Sequence, residues 1–470
     1  GWAGEEYLQA LLLCYSSMKE PGQSSDAALL AEKLDPRDLA VYMNELLDRW
    51  LAAGGEAKKR WVVYAAAIHG DGAVIRKLQH QIRQWARHSR SVLAAEAVQA
   101  LALSPQPLAL PTVDSIARKS GSGKVRAAAA GALRDAAARL GLTPEELEDK
   151  LTPDLGFDGH MERRFDYGNR SFTVTLTPAL EVEVCDQTGK KLKNMPAPGV
   201  RDQAEQAAAA YEDYKEMKKQ LKTVAAGQRQ RLERALATGR LWSAETWRGL
   251  FVDSPVMHMF AMGLIWGVYG QHRLVQSFRY MEDGSFNTEN EEEYALPEQG
   301  RIGLVHPLEL SPESVAAWRR QLEDYEITQP IEQLERTVYR LDSREQEARR
   351  LERFTGRVIN DLALGGRLTA LGWQRGPVGG GGRYCAYFRE EPLLGLGAEL
   401  HFSGSMVGNG AAGGQDVTVG ELCFYRIGTV DRGPESYDLA TEGRQLSLKN
   451  IPRRFFSEIA GQIDRATASG

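Results

Sequence analysis

The sequence has few cysteines: four occur, at positions 14, 185, 385 and 423, and none belongs to a C-x-x-C pair. Their isolation excludes a disulfide scaffold and a zinc ribbon, and it predicts a protein of the reducing cytoplasm. Long apolar runs are lacking too. The most apolar stretch, residues 255–270, contains His258 and is too short to span a bilayer. We therefore predict no membrane association and interpret this stretch as a buried core helix.

Motifs that bind metals or phosphates are also missing. The eight histidines are scattered, no H-E-x-x-H occurs, and the acidic segment 282–298 lacks the spacing of a calcium loop. The glycines of "RGPVGGGGRYCAYF" (375–388) lead into a predicted strand, whereas a phosphate loop leads into a helix. "SGSGKVR" (120–126) follows no strand and predicts a turn between helices. The sequence therefore predicts no metal site and no cofactor.

The overall composition is that of an ordinary globular protein. The 470 residues are 43% hydrophobic and 26% charged, with a net charge of −5, which allows a sizeable core. Such a length predicts about three domains, or a repeat array with a globular part. The chain starts at Gly1 rather than Met, inside an amphipathic pattern. This start predicts a fragment of a longer protein or a chain cleaved from a tag.

Three segments in the first third of the chain resemble one another. "RWVVYAAAIHG", "VLAAEAVQALA" and "KVRAAAAGALR" begin at positions 60, 92 and 124 and align without gaps. Their equivalent positions include Ala65, Ala97 and Ala129, and small residues let a neighbouring helix approach closely. We interpret residues 1–152 as a HEAT-like α-helical repeat domain; the alternative is an irregular helical domain.

The pattern then changes to that of an α+β fold. "SFTVTLT" and "ALEVEVC" alternate with a period of two, which predicts a β-meander connector over 153–200. We predict that an α+β domain occupies 201–470, with a long polar helix at 201–238 and a core of mixed helices and strands at 240–470. In that core we predict one helix that begins at Pro312 and further helices over 331–362 and 452–467. Strands there follow strands along the chain, which favours antiparallel pairing.

His306 is the most conspicuous candidate for chemistry. It ends the apolar run "RIGLV", and a proline and the helix start "SPES" follow it. The end of a strand, a turn and a capped helix together account for this arrangement of residues without any functional role. A histidine at the end of a strand can, however, also face a cleft. A second candidate is the segment 324–341, in which Gln329, Gln333 and Arg336 would share one helical face if the predicted helix extends that far. The candidates for contacts to a small anionic or nucleotide-like ligand are Arg240, Arg279, His306, Gln329, Gln333 and Arg336. The alternative is that the polar residues of 329–336 form the solvent-exposed face of an amphipathic helix. The sequence does not identify catalytic residues.

Positive charge is concentrated within the repeats. Between positions 58 and 126, twelve lysines and arginines face only Asp71, Glu96 and Asp114, and Trp85 lies among them. Such a band could bind a nucleic-acid backbone or an acidic partner. The alternative is an ordinary solvent-exposed surface, on which basic residues are also common. The candidates for polyanion binding are Lys58, Lys59, Arg60, Arg83, Arg87, Arg90, Lys124 and Arg126.

A series of motifs resembles a known family. "TPEELEDKLTPDLGFD", "RQRLERAL", "GRLWSAETWRGLFVDSPV", "LIWGVY" and "HPLELSPESVAAWRRQLEDYEITQPIEQLERTVYRL" occur in this order. Together they resemble the bacterial MolR-like (molybdate metabolism regulator-like) family with domain of unknown function 4132, which is often WGR-associated and preceded by helical repeats. The likeness covers most of the chain from about Thr143. Ile331 departs from it, because an aromatic is commoner there. The chain carries no WGR segment and no visible molybdate chemistry.

We therefore predict a cytoplasmic bacterial protein. The leading hypothesis is a non-enzymatic interaction or regulatory module that binds a protein partner through its HEAT-like surface. One alternative is an enzyme or sensor for an anionic or nucleotide-like ligand in the α+β domain. Another is a nucleic-acid-associated regulator that uses the basic band 58–126. Convergent polar side chains in a cleft would favour the first alternative, and salt-sensitive retention on polyanions would favour the second.

Overall fold

The computed structural model describes residues 2–271, 273–407, 414–433 and 436–468. The chain divides into two compact units, Gly1–Gly156 and Phe157–Gly470. We call the first the helical unit and the second the mixed unit. The division into three domains that the sequence predicts stays a prediction.

The described part of the helical unit consists of nine α-helices and one short 3-10 turn. Several helices begin at a Ser, Thr or Asp whose side chain accepts a backbone N–H, as a helix start requires; Asp35, Asp71 and Thr143 are examples. The helices are α1 (Trp2–Ser16), α2 (Ser25–Ala31), α3 (Pro36–Ala52), α4 (Trp61–His69), α5 (Gly72–Arg87), α6 (Ser91–Leu101), α7 (Ala109–Lys119), α8 (Gly123–Arg139) and α9 (Pro144–Lys150).

The three similar segments form the helices α4, α6 and α8, which pack against one another in that order. Ala65, Ala97 and Ala129 are all fully buried in the core of the unit. Because an alanine occupies each equivalent position, the helix axes can approach closely. The Tyr64 hydroxyl also donates to Glu96 across α4 and α6 (2.7 Å). The assignment of these helices to HEAT-like repeats stays a prediction.

The mixed unit begins with a four-stranded antiparallel meander, as its alternating pattern predicts. A long helix follows, and Tyr214, Met217, Leu221 and Leu232 form its buried stripe. The elements are β1 (Glu162–Asp166), β2 (Ser171–Leu176), β3 (Val182–Asp186), β4 (Lys191–Leu192) and α10 (Ala204–Thr238).

A second antiparallel sheet has the strand order β5-β9-β6-β7-β8. One face packs on α11 and α12 through a cluster of aromatic rings that includes Trp247, Trp266 and Phe278. The other face packs on α13 through Ile265, Val305 and Trp318. The elements are β5 (Leu241–Ser243), α11 (Ala244–Phe251), α12 (Pro255–Met262), β6 (Ile265–Gly270), β7 (Arg273–Tyr280), β8 (Phe286–Asn287), β9 (Arg301–Leu304) and α13 (Pro312–Asp324).

The predicted core helix over 255–270 is wrong in its second half. The helix ends at Met262, and the following residues form the strand β6. Gly263 interrupts the apolar run, and the residues after it are the β-branched and aromatic types that favour strands. Periodicity does not separate a buried strand from a buried helix when both faces are apolar.

A third antiparallel sheet, of order β10-β15-β14-β13-β12 with β11 also paired to β15, completes the mixed unit. Its inner face carries Leu400, Leu422 and Phe424 and packs on α14 and the closing helix α15. The elements are β10 (Arg350–Leu351), β11 (Val358–Asn360), α14 (Asp361–Ala370), β12 (Gln374–Arg375), β13 (Arg383–Glu391), β14 (Leu396–Met406), β15 (Asp416–Arg426) and α15 (Arg453–Thr467). The predicted α+β class with antiparallel sheets is confirmed.

The predicted helix over 331–362 is wrong. The chain between α13 and β10 contains no regular helix, and α14 begins only at Asp361. Ile331 and Leu334 are buried as an amphipathic pattern predicts, but Gln333, which was expected on the wet side, is buried as well. Its side chain bonds to the backbone of neighbouring strands, so the segment follows the sheet instead of forming its own helical hydrogen bonds.

In the described ranges, no helix is both long enough and apolar enough to cross a membrane.

Candidate functional site

A groove opens in the helical unit between α5, α7 and the turn that precedes α8. Its volume is about 500 Å³, and its lining residues are Ile82, Arg83, Ala86, Arg87, Ser115, Ile116, Ser120, Gly121 and Ser122. Ile82 and Ile116 are its buried apolar part. The groove therefore combines an apolar base with two cationic side chains and three hydroxyl groups.

The two arginines come from the exposed face of α5. Leu78, Ile82 and Trp85 of this helix are buried, whereas Arg83 and Arg87 are exposed and lie one turn apart. Neither arginine forms an ion pair within the described residues. Like charges four positions apart on a helix repel each other, and an anion between them would remove that repulsion.

The other wall is the N-terminal end of α8. Ser122 caps this helix by accepting the Val125 amide (3.4 Å), and Arg126 donates to the Ser120 carbonyl at the groove (2.6 Å). Because a helix N-terminus carries partial positive charge, it adds to the field of the two arginines. "SGSGKVR" is thus a turn between helices, as predicted, and it also forms one wall of the groove.

The remaining basic candidates do not line the groove. Lys59 pairs with Glu56 and Arg60 with Glu96, each at 3.2 Å, and Arg90 donates to the Gly54 carbonyl (3.1 Å). Lys58 and Lys124 are exposed. The predicted band is therefore interrupted by the protein's own carboxylates, and of these candidates Arg83 and Arg87 line the groove. Arg126 bonds to the carbonyl of Ser120, which is one of the lining residues.

Trp85, which lies within the predicted basic band, is a core residue. It is 5% exposed and packs edge-on against Trp50, with ring centroids 6.0 Å apart. Its ring face is consequently not available to stack on a nucleic-acid base.

In the mixed unit, His306 lies at the end of a buried polar network. The Leu308 amide donates to its Nδ1 (3.1 Å), which assigns the proton to Nε2, and Nε2 donates to Glu458 Oε1 (3.1 Å). Glu458 also accepts a hydrogen bond from Arg336, and Arg336 donates onward to Glu233 (2.5 Å). Both ring nitrogens of His306 are therefore engaged by the protein itself.

The electrostatics of this network follow from burial and pairing. Burial lowers the pKa of His306 below its usual value, so the ring is neutral at pH 7. Burial alone would raise the pKa of Glu458, but the hydrogen bond from His306 and the charge of Arg336 lower it overall. The network thus holds a carboxylate and a guanidinium as a buried ion pair next to a neutral imidazole.

Gln333 and Gln329 connect the same region. Gln333 Nε2 donates to the carbonyls of Ile265 (2.7 Å) and Val305 (2.8 Å), while its Oε1 accepts from the Ile265 amide and from Gln329. Two donors and two acceptor positions are all an amide side chain offers. The Gln333 side chain therefore links the segment after α13 by hydrogen bonds to β6 and to Val305, the residue after β9.

Arg279 and Arg240 each lie over an aromatic ring. Arg279 is 2% exposed, its guanidinium stacks over Tyr325 at 4.5 Å from the ring centroid, and it donates to the sulfur of Met281. Burial lowers the pKa of Arg279 below its usual value. The guanidinium of Arg240 lies 5.0 Å from the centre of the Trp242 ring. The structure thus brings together four of the six ligand candidates, Gln329, Gln333, His306 and Arg336. Their role as ligand contacts stays a prediction.

One group of chemically capable residues was missed by sequence reasoning. Glu399, His401 and Cys423 place one ligand atom each within 4.8 Å of one another on the third sheet. The signal was present in two short patterns, "ELHF" (399–402) and "ELCF" (421–424). Each pattern places a polar pair on one face of a strand, but only the strand pairing shows that the two faces coincide.

Comparison with known proteins adds a family match and one curated relative. A family described as "Domain of unknown function (DUF4132)" matches residues 189–373, which is less than half of the chain. The uncharacterized protein YehI of Escherichia coli (strain K12) is 33% identical over 344 residues, which cover 73% of this chain. The chain spans 28% of the length of that relative. No solved structure matches. These matches carry neither a molybdate-related function nor a WGR domain.

Proposed function

We propose that the helical unit is a non-enzymatic interaction module whose groove binds an acidic, partly apolar segment of a protein partner. The observation that carries the proposal is the pair Arg83 and Arg87, with which no carboxylate among the described residues pairs, beside the apolar base formed by Ile82 and Ile116. An acidic side chain would pair with the arginines, and an apolar side chain would cover the base. Charge complementarity of this kind favours correct partners and fast association.

Two observations favour a protein partner over a nucleic acid. Nucleic-acid backbones need many cations along an extended surface, whereas here Lys59 and Arg60 are already paired with carboxylates. Single strands also need exposed aromatic faces, and Trp85 is buried. Stacking of α4, α6 and α8 supports a HEAT-like arm, an architecture that offers elongated binding surfaces.

The four cysteines are all free thiols, which supports a reducing, cytoplasmic setting for this interaction. A regulatory role, which the MolR-like resemblance implies, would follow from the identity of the partner.

The test is a binding titration followed by fluorescence anisotropy. The probes are a labelled twelve-residue peptide that alternates Glu and Leu, the same peptide with Gln in place of Glu, and a labelled oligonucleotide. We expect the acidic peptide to bind and the Gln peptide to bind at least about tenfold more weakly, because hydrogen bonds to charged groups contribute about 1.5–3 kcal/mol each. The double variant Arg83→Glu, Arg87→Glu should lose binding of the acidic peptide.

The control is Arg37→Glu, which reverses one positive charge at the exposed start of α3, outside the groove, as each of the two groove substitutions does at its own position. This variant should bind the acidic peptide as the parent protein does. Equal losses in Arg37→Glu and in the groove variant would contradict the proposal. Binding of the oligonucleotide alone, with steep dependence on salt, would replace it by the nucleic-acid alternative.

A cavity in the mixed unit supports a second candidate, a small anionic ligand. It encloses about 300 Å³ and is lined by Leu308, Tyr339, Arg340, Leu341, Gln346, Lys449, Ile451, Arg453 and Phe456. Three cationic side chains beside two aromatic rings suit a nucleotide-like anion, and the volume is at the lower end for such ligands. Lys449 already pairs with Glu347 (2.7 Å), which weakens this candidate relative to the groove.

A thermal-shift titration with nucleoside mono- and diphosphates tests the second candidate. A saturable increase in Tm that Arg453→Ala removes would support it, because a ligand that binds only the folded state stabilises it. No increase with any of these ligands would overturn it.

A further inference from the structure

Two paired strands of the third sheet carry the same four-residue pattern. In "ELHF" on β14 and "ELCF" on β15, the second and fourth residues point into the core beneath α15, where Leu400, Phe402, Leu422 and Phe424 are buried. Because side chains alternate along a strand, the first and third residues share the other face. Glu399 and His401 therefore lie beside Glu421 and Cys423.

The pairing of β14 with β15 brings these side chains close to one another. Glu399 lies directly opposite Cys423 in the register of β14 and β15. His401 Nε2 is 2.6 Å from Glu399 Oε1, and His401 Nδ1 is 3.7 Å from Glu421. One carboxylate oxygen, one imidazole nitrogen and one sulfur all lie within 4.8 Å of one another.

We propose that Glu399, His401 and Cys423 bind a divalent transition-metal ion of the zinc type. Thiolate, imidazole and carboxylate together are ligands of zinc rather than of magnesium or calcium, which prefer oxygen alone. Tetrahedral zinc with bonds of about 2.0–2.3 Å separates its ligand atoms by roughly 3.3–3.8 Å. Shifts of no more than about 1.5 Å in the three side chains would bring their ligand atoms to this spacing.

The surroundings resemble the outer contacts of known metal sites. The Ala440 amide donates to Glu399 Oε1 (2.8 Å), and Arg432 donates to Glu399 Oε2 (2.6 Å). Glu421 stands next to His401 Nδ1, where a carboxylate would orient the ring and direct Nε2 toward the ion. Glu399, Glu421 and the Cys423 thiolate would supply three negative charges next to the ion, the Arg432 guanidinium and Arg350, which lies 3.4 Å from Glu421.

The proposed site is also accessible to an ion from solvent on one side. Glu399 and Cys423 are fully buried, but the side chain of His401 is 23% exposed. An ion would enter past His401, displace the thiol proton of Cys423 to solvent and form bonds to sulfur, nitrogen and oxygen. Three protein ligands leave a fourth position for water.

Cobalt(II) added to the metal-free full chain tests this site, because a cobalt–thiolate bond gives a charge-transfer band in the near ultraviolet. We expect the band to saturate at one ion per chain, to be abolished by Cys423→Ser and to be displaced by zinc. Cys185→Ser is the matched control, since Cys185 lies on β3 in another sheet. This variant should keep the band.

His401→Gln provides a readout that does not depend on the buried thiol. Glutamine can keep a hydrogen bond to Glu399 at this partly exposed position, but it is a poor zinc ligand. We expect cobalt affinity to fall by at least about tenfold while the fold is retained. No charge-transfer band in the parent protein, a band that survives Cys423→Ser, or an unchanged affinity in His401→Gln would each overturn the proposal.

Discussion

The two units of this chain use charged residues in opposite ways. In the mixed unit, Arg336, Glu458 and His306 are buried and bonded to one another, so their polar groups hold segments together. In the helical unit, Arg83 and Arg87 are exposed, beside a groove, and no carboxylate of the described chain pairs with them.

The comparison shows how to separate structural from functional polar residues. A buried side chain whose hydrogen-bonding capacity is filled, such as that of Gln333, has little left to offer a ligand. An exposed cation without a partner has lost nothing by folding and remains able to bind. His306, which stands out in the sequence, likewise has both ring nitrogens engaged by the protein, and its role as a ligand contact stays a prediction.

The largest expected effect comes from removing the centre of the buried network. Glu458→Ala leaves Arg336 and His306 without their shared acceptor in a buried place, which should lower the free energy of unfolding by about 3–5 kcal/mol. Urea unfolding followed by tryptophan fluorescence measures the loss. Glu335→Ala is the control, because Glu335 pairs with Arg319 at the surface and is 69% exposed.

The control should lose less than about 1 kcal/mol, as exposed ion pairs do. If Glu458→Ala were as mild as Glu335→Ala, the buried network would not be what stabilises this part of the mixed unit.

The next largest expected effect concerns helix packing, rather than charge, in the helical unit. Ala97→Leu inserts a larger side chain where α6 packs on α4 and α8, and overpacking should lower the stability by about 1–3 kcal/mol. Ala53→Leu, just after α3, is a control at an exposed position. An Ala97→Leu protein as stable as its parent would show that close approach of these helices is not required.

A smaller effect concerns acid. The pKa of His306 is lower in the folded protein than its ordinary value of 6.5, so the unfolded chain binds the proton more readily. Stability contributed by this group is therefore present above pH 6.5 and is lost as the pH falls below it. The lowered pKa of Glu458 extends the loss below its ordinary value of 4.5.

Urea midpoints at about pH 7 and about pH 5.5 measure this dependence. His306→Gln should show a smaller decrease between the two conditions than the parent protein. An equal decrease in both proteins would assign the acid sensitivity to other groups.

The smallest effect on stability is expected at the groove. Arg83→Ala together with Arg87→Ala should change the free energy of unfolding by less than about 0.5 kcal/mol, because neither side chain pairs with a carboxylate in the part of the chain that the structure describes. Circular dichroism during urea unfolding is sufficient to measure it. A large destabilisation would show that these arginines are structural and would remove the contrast between the units.

Much of the fold was predictable because local patterns decided it. The meander, α10 and the strands β13 to β15 follow from periodicity and turn residues, which act over short distances. The segment after α13 was not predictable in this way. Its amphipathic pattern is compatible with a helix, but tertiary hydrogen bonds hold it in another conformation: Gln333 bonds to the backbone of residues 265 and 305, and the Tyr339 amide bonds to Ser457.

The candidate sites were predictable to a similar degree. Arg83 and Arg87 were identified because charge can be counted along a sequence, and the turn at residues 120–122 was recognised as a turn. That these two features face one groove depends on helix packing, which the sequence does not state. Glu399 and Cys423 were missed because they meet only through the pairing of β14 with β15.

The position of α15 near the end of the chain has a consequence for folding. Its Glu458 bonds to His306 and Arg336 across 152 and 122 residues, whereas Tyr64 and Glu96 of the helical unit are 32 residues apart. Contacts between distant parts of a chain form slowly, and domains fold as they are synthesised. We expect the helical unit to fold while translation continues, and the mixed unit to wait until α15 has left the ribosome. During that interval the mixed unit would be the part most accessible to chaperones and proteases.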